Sequence, residues 1–478
     1  MTRRMPHRIG LAASIAVSLA TAASAAEPLV RQPVMGMAAA PVSDGLRIDG
    51  VAPDGMAARL GLKPGDVLLT MNGARVGSIK AFLDAFAAAP LGRTLRVTVL
   101  RAGKRLALSA VQSPRAQESY PGAAVRYGEV DNGPERLRDI LATPNSVARP
   151  PVVYYLSGYT CGSIDGPGPG GLFANLARSF LDAGIAFYRV EKPGAGDSRG
   201  GTPCTEGTLA DEIAAYRAGY LHLIDLGFPA DRIFILGHSL GGVEAPLVVA
   251  GVAPPRGIVP YGTMLRNWGD YMRDINVFQG FAMTGDDPVQ AYKQAERDRP
   301  ILDALFFGHQ SPRQIVAANP AAADRLKEVV GWDGGDHAYG RSWTVLQDLT
   351  AVDLPEAWAR VPTNVLSLYG ATDEIALTSE DQRRIADIVN YYRPGTARFV
   401  ELPGTMHLMN LVGDREAFRE RNIEAGGNPI PGSFNPEVTR EIIAWIRDCM
   451  ARPPVRTMTF PDSLAERVRK MKAAAATN

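Results

Sequence analysis

Cysteine is scarce, with three in 478 residues. That excludes a disulfide-dense scaffold and a four-cysteine zinc site. Neither sign of charge dominates: 51 Lys and Arg face 50 Asp and Glu, for a net +1. A chain so balanced offers no basic field for nucleic acid. Aromatic residues are few at 7%, yet apolar residues reach 46% and charged ones 21%. That make-up supports a real core and excludes a mostly disordered chain. Beyond residue 26 there is no long apolar run, so no membrane span is expected there. Glycine (49) and proline (36) are plentiful without a collagen-like period, which predicts many tight turns. The length, about three times a domain of ~150 residues, predicts two or three domains.

Residues 1–26 read as a secretory signal. Arg3, Arg4, His7 and Arg8 precede an uncharged stretch from Ile9, and Ala23-Ser24-Ala25 is a small-residue cleavage site. Losing Arg3, Arg4 and Arg8 turns the net charge from +1 to −2. The expectation is a periplasmic or secreted protein. The alternative weighed is an uncleaved anchor, for which the stretch is short and weakly apolar.

Residues 33–112 carry short strand patterns, a Lys63-Pro64-Gly65-Asp66 turn, an Asn72-Gly73 turn and a helix from Ile79 that Ser78 caps. Val34-Met35-Gly36-Met37, Gly45 to Val51, and the run Gly61-Leu62-Lys63-Pro64-Gly65-Asp66-Val67-Leu68 resemble a PDZ domain of the bacterial, permuted type. The resemblance implies that Met35, Gly36 and Met37 form the loop that holds a peptide's terminal carboxylate, with the peptide added as a strand. A PDZ fold that binds no peptide is the competing expectation.

Residues 113–122 are polar and turn-rich, as a linker would be. From 123 to 450, short apolar strands alternate with helices, at Val152–Leu156, Ala186–Val190, Arg232–Leu236, Gly257–Tyr261, Asn364–Tyr369 and Arg398–Leu402. That alternation predicts an α/β fold: a mostly parallel sheet with helices on both faces. Residues 263–360 interrupt it and read as a mostly helical insertion capping the sheet edge. Residues 451–478 form a tail, basic and Pro-containing at first and helix-like from Asp462 to Ala473.

Gly237-His238-Ser239-Leu240-Gly241 is a G-x-S-x-G run between a strand and a helix, where the backbone turns tightly and exposes the serine. A second match, Gly196-Asp197-Ser198-Arg199-Gly200, lies in a Pro/Gly loop with no helix directly after it, so Ser198 is expected to line the site rather than react. A serine needs a base. Among six histidines, His407 follows the strand Arg398–Leu402 through a short loop, at the sheet edge where the serine also lies. His337, in the insertion, is the rival. The imidazole needs an acid. Asp373 follows the strand Asn364–Tyr369, 34 residues before His407, with Glu374 as the adjacent alternative. Two N–H donors for an oxyanion are expected at Leu240 and Tyr159. Arg266, Arg273 and Arg341 in the insertion are read either as holding a substrate carboxylate or as solvated helix faces.

Together with Leu156-Ser157-Gly158-Tyr159, Lys192-Pro193-Gly194-Ala195-Gly196-Asp197-Ser198, Gly370-Ala371-Thr372-Asp373 and Thr405-Met406-His407, these motifs resemble an α/β-hydrolase over about 330 residues. The resemblance implies an acyl-enzyme on Ser239, with Asp373 and His407 completing a triad and no metal or cofactor. The substrate it implies is a small-molecule ester, or a peptide by the same triad. A peptide-binding protein whose hydrolase part is only a scaffold is the alternative from another class. On this fold Cys161 and Cys204 leave the same sheet edge, so a bridge between them is expected in an oxidising compartment, with Cys449 a buried thiol.

Overall fold

The computed structural model describes residues 28–166, 170–426 and 432–455. The signal segment and the 462–473 helix lie outside the described residues.

The first unit is a six-stranded antiparallel sheet with two short helices. Its elements are β1 (Met37–Val42), β2 (Gly45–Val51), α1 (Met56–Leu60), β3 (Val67–Met71), β4 (Ala74–Arg75), α2 (Ile79–Ala87), β5 (Thr94–Arg101) and β6 (Lys104–Val111). The main path runs β1-β2-β3-β5-β6, which leaves β1 at an edge. Leu46 and Ile48, and Val97 and Val99, alternate inward to make its core, and a register shift in β3 brings both Leu68 and Met71 to it. Gly61 ends α1 in the left-handed region, φ 74°, as a glycine does at little cost. Ser78 caps α2 by accepting from the Ala81 N–H.

A long antiparallel hairpin follows, β7 (Ala123–Asn132) and β8 (Glu135–Pro144). The strand pattern missed it, although Asn132-Gly133 is a turn signal. Then come β9 (Val152–Leu156), α3 (Leu172–Asp182), β10 (Ala186–Val190), α4 (Leu209–Asp225), β11 (Ile233–His238), α5 (Leu240–Val248) and β12 (Gly257–Tyr261). The insertion is α6 (Trp268–Thr284), α7 (Pro288–Phe306), α8 (Pro312–Ala318), α9 (Ala322–Val330), the small pair β13 (His337–Ala338) and β14 (Arg341–Ser342), α10 (Trp343–Ala351) and α11 (Leu354–Arg360). The chain closes with β15 (Asn364–Gly370), α12 (Glu380–Tyr392), β16 (Ala397–Leu402), β17 (Asn410–Leu411), α13 (Arg415–Glu424), β18 (Ser433–Phe434) and α14 (Pro436–Ala451).

The eight-stranded sheet is ordered β16-β15-β12-β11-β9-β10-β8-β7. From β16 to β10 every pair is parallel; β8 and β7 are antiparallel. Side chains alternate across it: Val152, Tyr154 and Leu156 pack with α4 and α5, while Val153 and Tyr155 pack with α3. After β10 the chain crosses back over β9 to form β11, so the loops after β9 and β11 diverge. That is the switch point where ligands bind in open parallel sheets. No helix among the described residues is long and apolar enough to cross a membrane.

The segments flanking the first unit are bonded to the second. Before β1, Arg31 pairs with Asp165 and Asp197 and lies over the Tyr127 ring. After β6, Arg115 donates to the Ser163 hydroxyl and, at 2.9 Å, to the Asp165 carbonyl. Glu118 accepts from both terminal nitrogens of Arg189, at 2.9 and 2.5 Å, with both side chains fully buried. The polar linker is therefore a docked seam.

Cys161 and Cys204 are bridged, with Cα atoms 5.7 Å apart, and Cys449 is a buried free thiol. The bridge joins the loop after β9 to the loop after β10 and closes a sequence separation of 43. Reducing it, or the double change Cys161→Ser and Cys204→Ser, is expected to lower stability by about 2–4 kcal/mol. Thermal unfolding with and without reductant reads this directly; an unchanged midpoint would refute it.

Candidate active site

Ser239 sits between β11 and α5 at φ 56°, a region a non-glycine residue enters only when the surroundings hold it there. Its N–H donates to the Tyr261 carbonyl at 2.8 Å. The turn closes so tightly that a Cβ on Gly241 would stand 2.3 Å from the Leu156 carbonyl oxygen. This is the physical reason for small residues around the serine. Leu240 opens α5, so its N–H has no acceptor within the helix and belongs to the positive end of the helix dipole. Gly158 lies against the serine: a Cβ there would meet Ser239 Cβ at 3.1 Å.

His407 lies in the loop after β16. Its Nδ1 is 2.8 Å from Asp373 Oδ2 and 3.0 Å from Oδ1, and Asp373 is fully buried. The Asp373 carboxylate also accepts from the Ile375 and Ala376 N–H groups, at 2.8 and 2.7 Å. Because Nδ1 is engaged by the carboxylate, it carries the proton and Nε2 is left as the basic nitrogen. Burial alone would depress the imidazole, but the Asp373 charge outweighs it and holds His407 above its ordinary 6.5. Gly262, at the end of β12, makes room for this pair; a Cβ there would sit 2.8 Å from Asp373 Oδ2.

Two supports of His407 were not foreseen. His238 Nε2 donates to the His407 carbonyl at 2.9 Å, and His238 Nδ1 accepts from the Tyr155 hydroxyl at 2.9 Å. Burial, then the nearby His407, push His238 down to about 3, so it stays neutral in this role. Glu374 Oε2 accepts from the His407 backbone N–H at 3.0 Å. It thus braces the backbone, while Asp373 takes the ring. Burial, reinforced by Asp373, raises the Glu374 carboxyl. His337, in the insertion, is paired with Glu206 of the loop after β10 and with Asp333.

Ser239 and His407 both line a cavity of about 600 Å³. Much of its wall comes from the loop after β9, including Gly158, Tyr159 and Ile164, from Leu172 and Phe173, and from α6, with Tyr339, Ile375 and Leu408 contributing from other loops. On α6 the lining residues are Trp268, Tyr271, Met272, Ile275 and Gln279, the spacing of one helical face. Tyr159 and Trp268 are stacked, with centroids 5.4 Å apart. No Asp, Glu, Lys or Arg lines the cavity among the described residues. A larger cavity of about 750 Å³, with Arg266, Phe281 and Arg415 in its wall, contains none of Ser239, Asp373 or His407.

Other expectations are corrected. Ser198 does not line the cavity; it is fully buried and accepts from the Arg138 N–H at 3.0 Å. None of the three insertion arginines lines the cavity of Ser239, and not all lie in solvent. Arg266 pairs with Asp381 and Asp274, and Arg273 with Asp270 and Asp303. Arg341 is 2% exposed and pairs with Glu212 at 2.6 Å. Glu212 is also paired with Lys192. Burial opposes a charged Glu212, but those two cations hold its carboxyl below the ordinary value. Glu244, on α5, is fully buried beside them, and burial with the Glu212 charge pushes it well up.

In the first unit Met35 is buried, and Gly36 (φ 68°) packs so closely that a Cβ would stand 2.8 Å from Gly55 Cα. The Met35 and Gly36 carbonyls accept from Ala57 and Ala52 N–H groups, each at 2.8 Å, ahead of the edge strand that Met37 begins. α2 exposes Ile79 and Leu83.

Residues 33–111 match the family model for the PDZ domain, and residues 156–421, more than half of the chain, match that of the alpha/beta hydrolase family. Over 95 residues the chain is 36% identical to the magnetosome formation protease MamE of Magnetospirillum gryphiswaldense; the match covers 18% of this chain and only 12% of that protein's length. Among solved structures it is similar to Est1E of Butyrivibrio proteoclasticus with ferulic acid bound, at 16% identity and TM-score 0.42, over 68% of this chain and 100% of that one. It is also similar to an esterase of Pyrococcus furiosus, at 12% identity and TM-score 0.41, over 70% and 96%.

Proposed function

The chain belongs to the alpha/beta hydrolase family and carries a PDZ domain ahead of that fold; from this premise we propose that it is an exported serine hydrolase cleaving a carboxylic ester. The observation that carries the reading is Ser239, held at φ 56° in the wall of the cavity that His407 shares, with Asp373 bonded behind the imidazole. Ser239 Oγ attacks the ester carbonyl as His407 Nε2 takes its proton. Asp373 stabilises the imidazolium. Leu240 and Tyr159 N–H groups hold the oxyanion. Collapse passes the proton from His407 to the departing alkoxide and leaves the acyl group on Ser239. Water, deprotonated by His407, then attacks the acyl-enzyme; as the acyl–Oγ bond breaks, His407 returns that proton to Ser239 Oγ and the acid is released.

The cavity wall favours an ester over a peptide held by its charged terminus. An aminopeptidase must hold an ammonium and a carboxypeptidase a carboxylate, and neither counter-charge lines this wall among the described residues. An uncharged, apolar acyl group fits the Trp268, Met272 and Ile275 face. The PDZ domain supports a second binding role. β1 is an edge strand and α2 exposes Ile79 and Leu83, which suits an added peptide strand whose end sits at Met35, Gly36 and Met37. The Cys161–Cys204 bridge supports export to an oxidising compartment.

The test is a side-by-side assay of the protein and its Ser239→Ala variant on short p-nitrophenyl esters and aminoacyl-p-nitroanilides. Ser239-dependent turnover is expected on the esters and not on the anilides. Anilide turnover in preference to ester would move the assignment to a peptidase. No turnover on either, with no fluorophosphonate labelling of Ser239, would leave the PDZ domain as the functional part.

A further inference from the structure

Behind the wall that faces Ser239 lies a set of buried charges that the mechanism above does not use. Lys192, in the loop after β10, is 2% exposed. Its Nζ donates to the Gly158 carbonyl at 2.5 Å and pairs with Glu212 of α4. Arg341, on β14 of the insertion, reaches the next carbonyl along, donating to that of Tyr159 at 3.3 Å, while its other nitrogen binds Glu212 at 2.6 Å. Its guanidinium also lies 5.2 Å from the centre of the Tyr159 ring. Neither Lys192 nor Arg341 lines the cavity, whereas Gly158, Tyr159 and Thr160 do.

Two consecutive carbonyls are therefore turned away from the cavity, each onto a cation. In a trans peptide the N–H points opposite to the carbonyl of the same unit, and no described peptide bond is cis. Turning the Gly158 carbonyl onto Lys192 directs the Tyr159 N–H to the cavity side. Turning the Tyr159 carbonyl onto Arg341 does the same for the Thr160 N–H. A full positive charge on a carbonyl oxygen also polarises its peptide and strengthens the N–H as a donor, most effectively where water is excluded.

We propose that Lys192, held by Glu212, is a positioning residue that aims and polarises the Tyr159 N–H toward the oxyanion, with Arg341 bracing the next peptide from the insertion. The inference rests on the serine-hydrolase reading. It gives the insertion a part in the reaction besides shaping the cavity, because Arg341 ties it to the loop that faces Ser239.

Lys192→Met removes the charge and the donor while keeping most of the volume. The expected result is a fall in kcat of about 10²–10³-fold per titrated active site, the size associated with losing one oxyanion donor, with KM little changed. A trifluoromethyl ketone carrying the acyl chain of the p-nitrophenyl ester assayed should lose affinity by the same factor, and an unreactive alcohol of the same shape should keep its own. A merely structural lysine would lower the unfolding midpoint and the titratable fraction without moving kcat per site. Lys192→Gln, which keeps a neutral donor for the Gly158 carbonyl, gives a smaller loss and keeps the test readable where Met does not fold. Unchanged kcat per site in both variants, or equal loss of ketone and alcohol affinity, would overturn the proposal while the wild type remains active. A wild type without Ser239-dependent turnover would overturn this and the hydrolase reading together.

Discussion

Replacing Ser239 by alanine is expected to lower ester turnover by on the order of 10⁶-fold, to the level left by binding and the N–H donors alone. The fall is large because the serine acts as a unit with its base. Without Oγ there is no atom for His407 Nε2 to deprotonate, and the acyl-enzyme route closes entirely. The fold should be indifferent. Ser239 is fixed through its backbone N–H, which bonds the Tyr261 carbonyl, and alanine keeps that bond. The backbone strain at φ 56° stays as well. The check is the initial rate on a p-nitrophenyl ester, with circular dichroism confirming the fold and a fluorophosphonate probe confirming the loss of the labelled site. A variant within tenfold of wild type would remove Ser239 from the chemistry.

Replacing Asp373 by asparagine is expected to cost about 10⁴-fold in kcat, since an amide N–H₂ facing Nδ1 favours the tautomer with its proton on Nε2, where it cannot act as a base. It should also move the pH profile. In the wild type, Asp373 holds His407 above 6.5 against burial, which works downward. Only the neutral imidazole accepts the serine proton, so kcat/KM rises with pH through that raised value and is lost below it. In the variant the upward pull is gone and burial remains, so the acid limb shifts to lower pH even as the plateau falls. Measuring kcat/KM between about pH 5 and 9 separates the two effects. A limb that stays in place would mean that another group sets the titration; Glu374 is the nearest, through its bond to the His407 backbone N–H.

What was legible in the residues follows a physical divide. Ser239 could be placed because a strand, a G-x-S-x-G turn and a helix follow one another in sequence. Asp373 and His407 could be placed because loops after parallel strands emerge at one edge, so their order along the chain carries spatial information. The β7–β8 hairpin was harder. Its strands intersperse Arg126, Glu129, Arg136 and Arg138 among apolar residues; Arg126 pairs with Asp139 and Arg136 with Glu129 across the hairpin itself, and Arg138 pairs with Asp197 in the loop after β10, so the strands show no clean apolar alternation. Arg341 was read as a surface or substrate-facing group because its partner, Glu212, is 129 residues away. No local periodicity encodes a pairing of that span, and the same is true of Glu118 with Arg189. Nothing local marks His238 as a support either, since the backbone its ring bonds, that of His407, is 169 residues away.

The docked seam between the two units has a consequence for how this molecule can be divided. A hydrolase part begun at residue 123 would keep the whole eight-stranded sheet, yet it would lose Glu118, leaving the buried Arg189 guanidinium without its carboxylate. It would also lose Arg31 and Arg115, the cations that face Asp165 in the loop next to the cavity wall. Uncompensated buried charge is among the costliest defects a core can carry. The PDZ domain is thus not a bead that can be threaded on or off. The chain on either side of it is part of the enzyme's own interior, so exchanging one module for another requires the exchange to be made inside residues 33–112, leaving both roots in place.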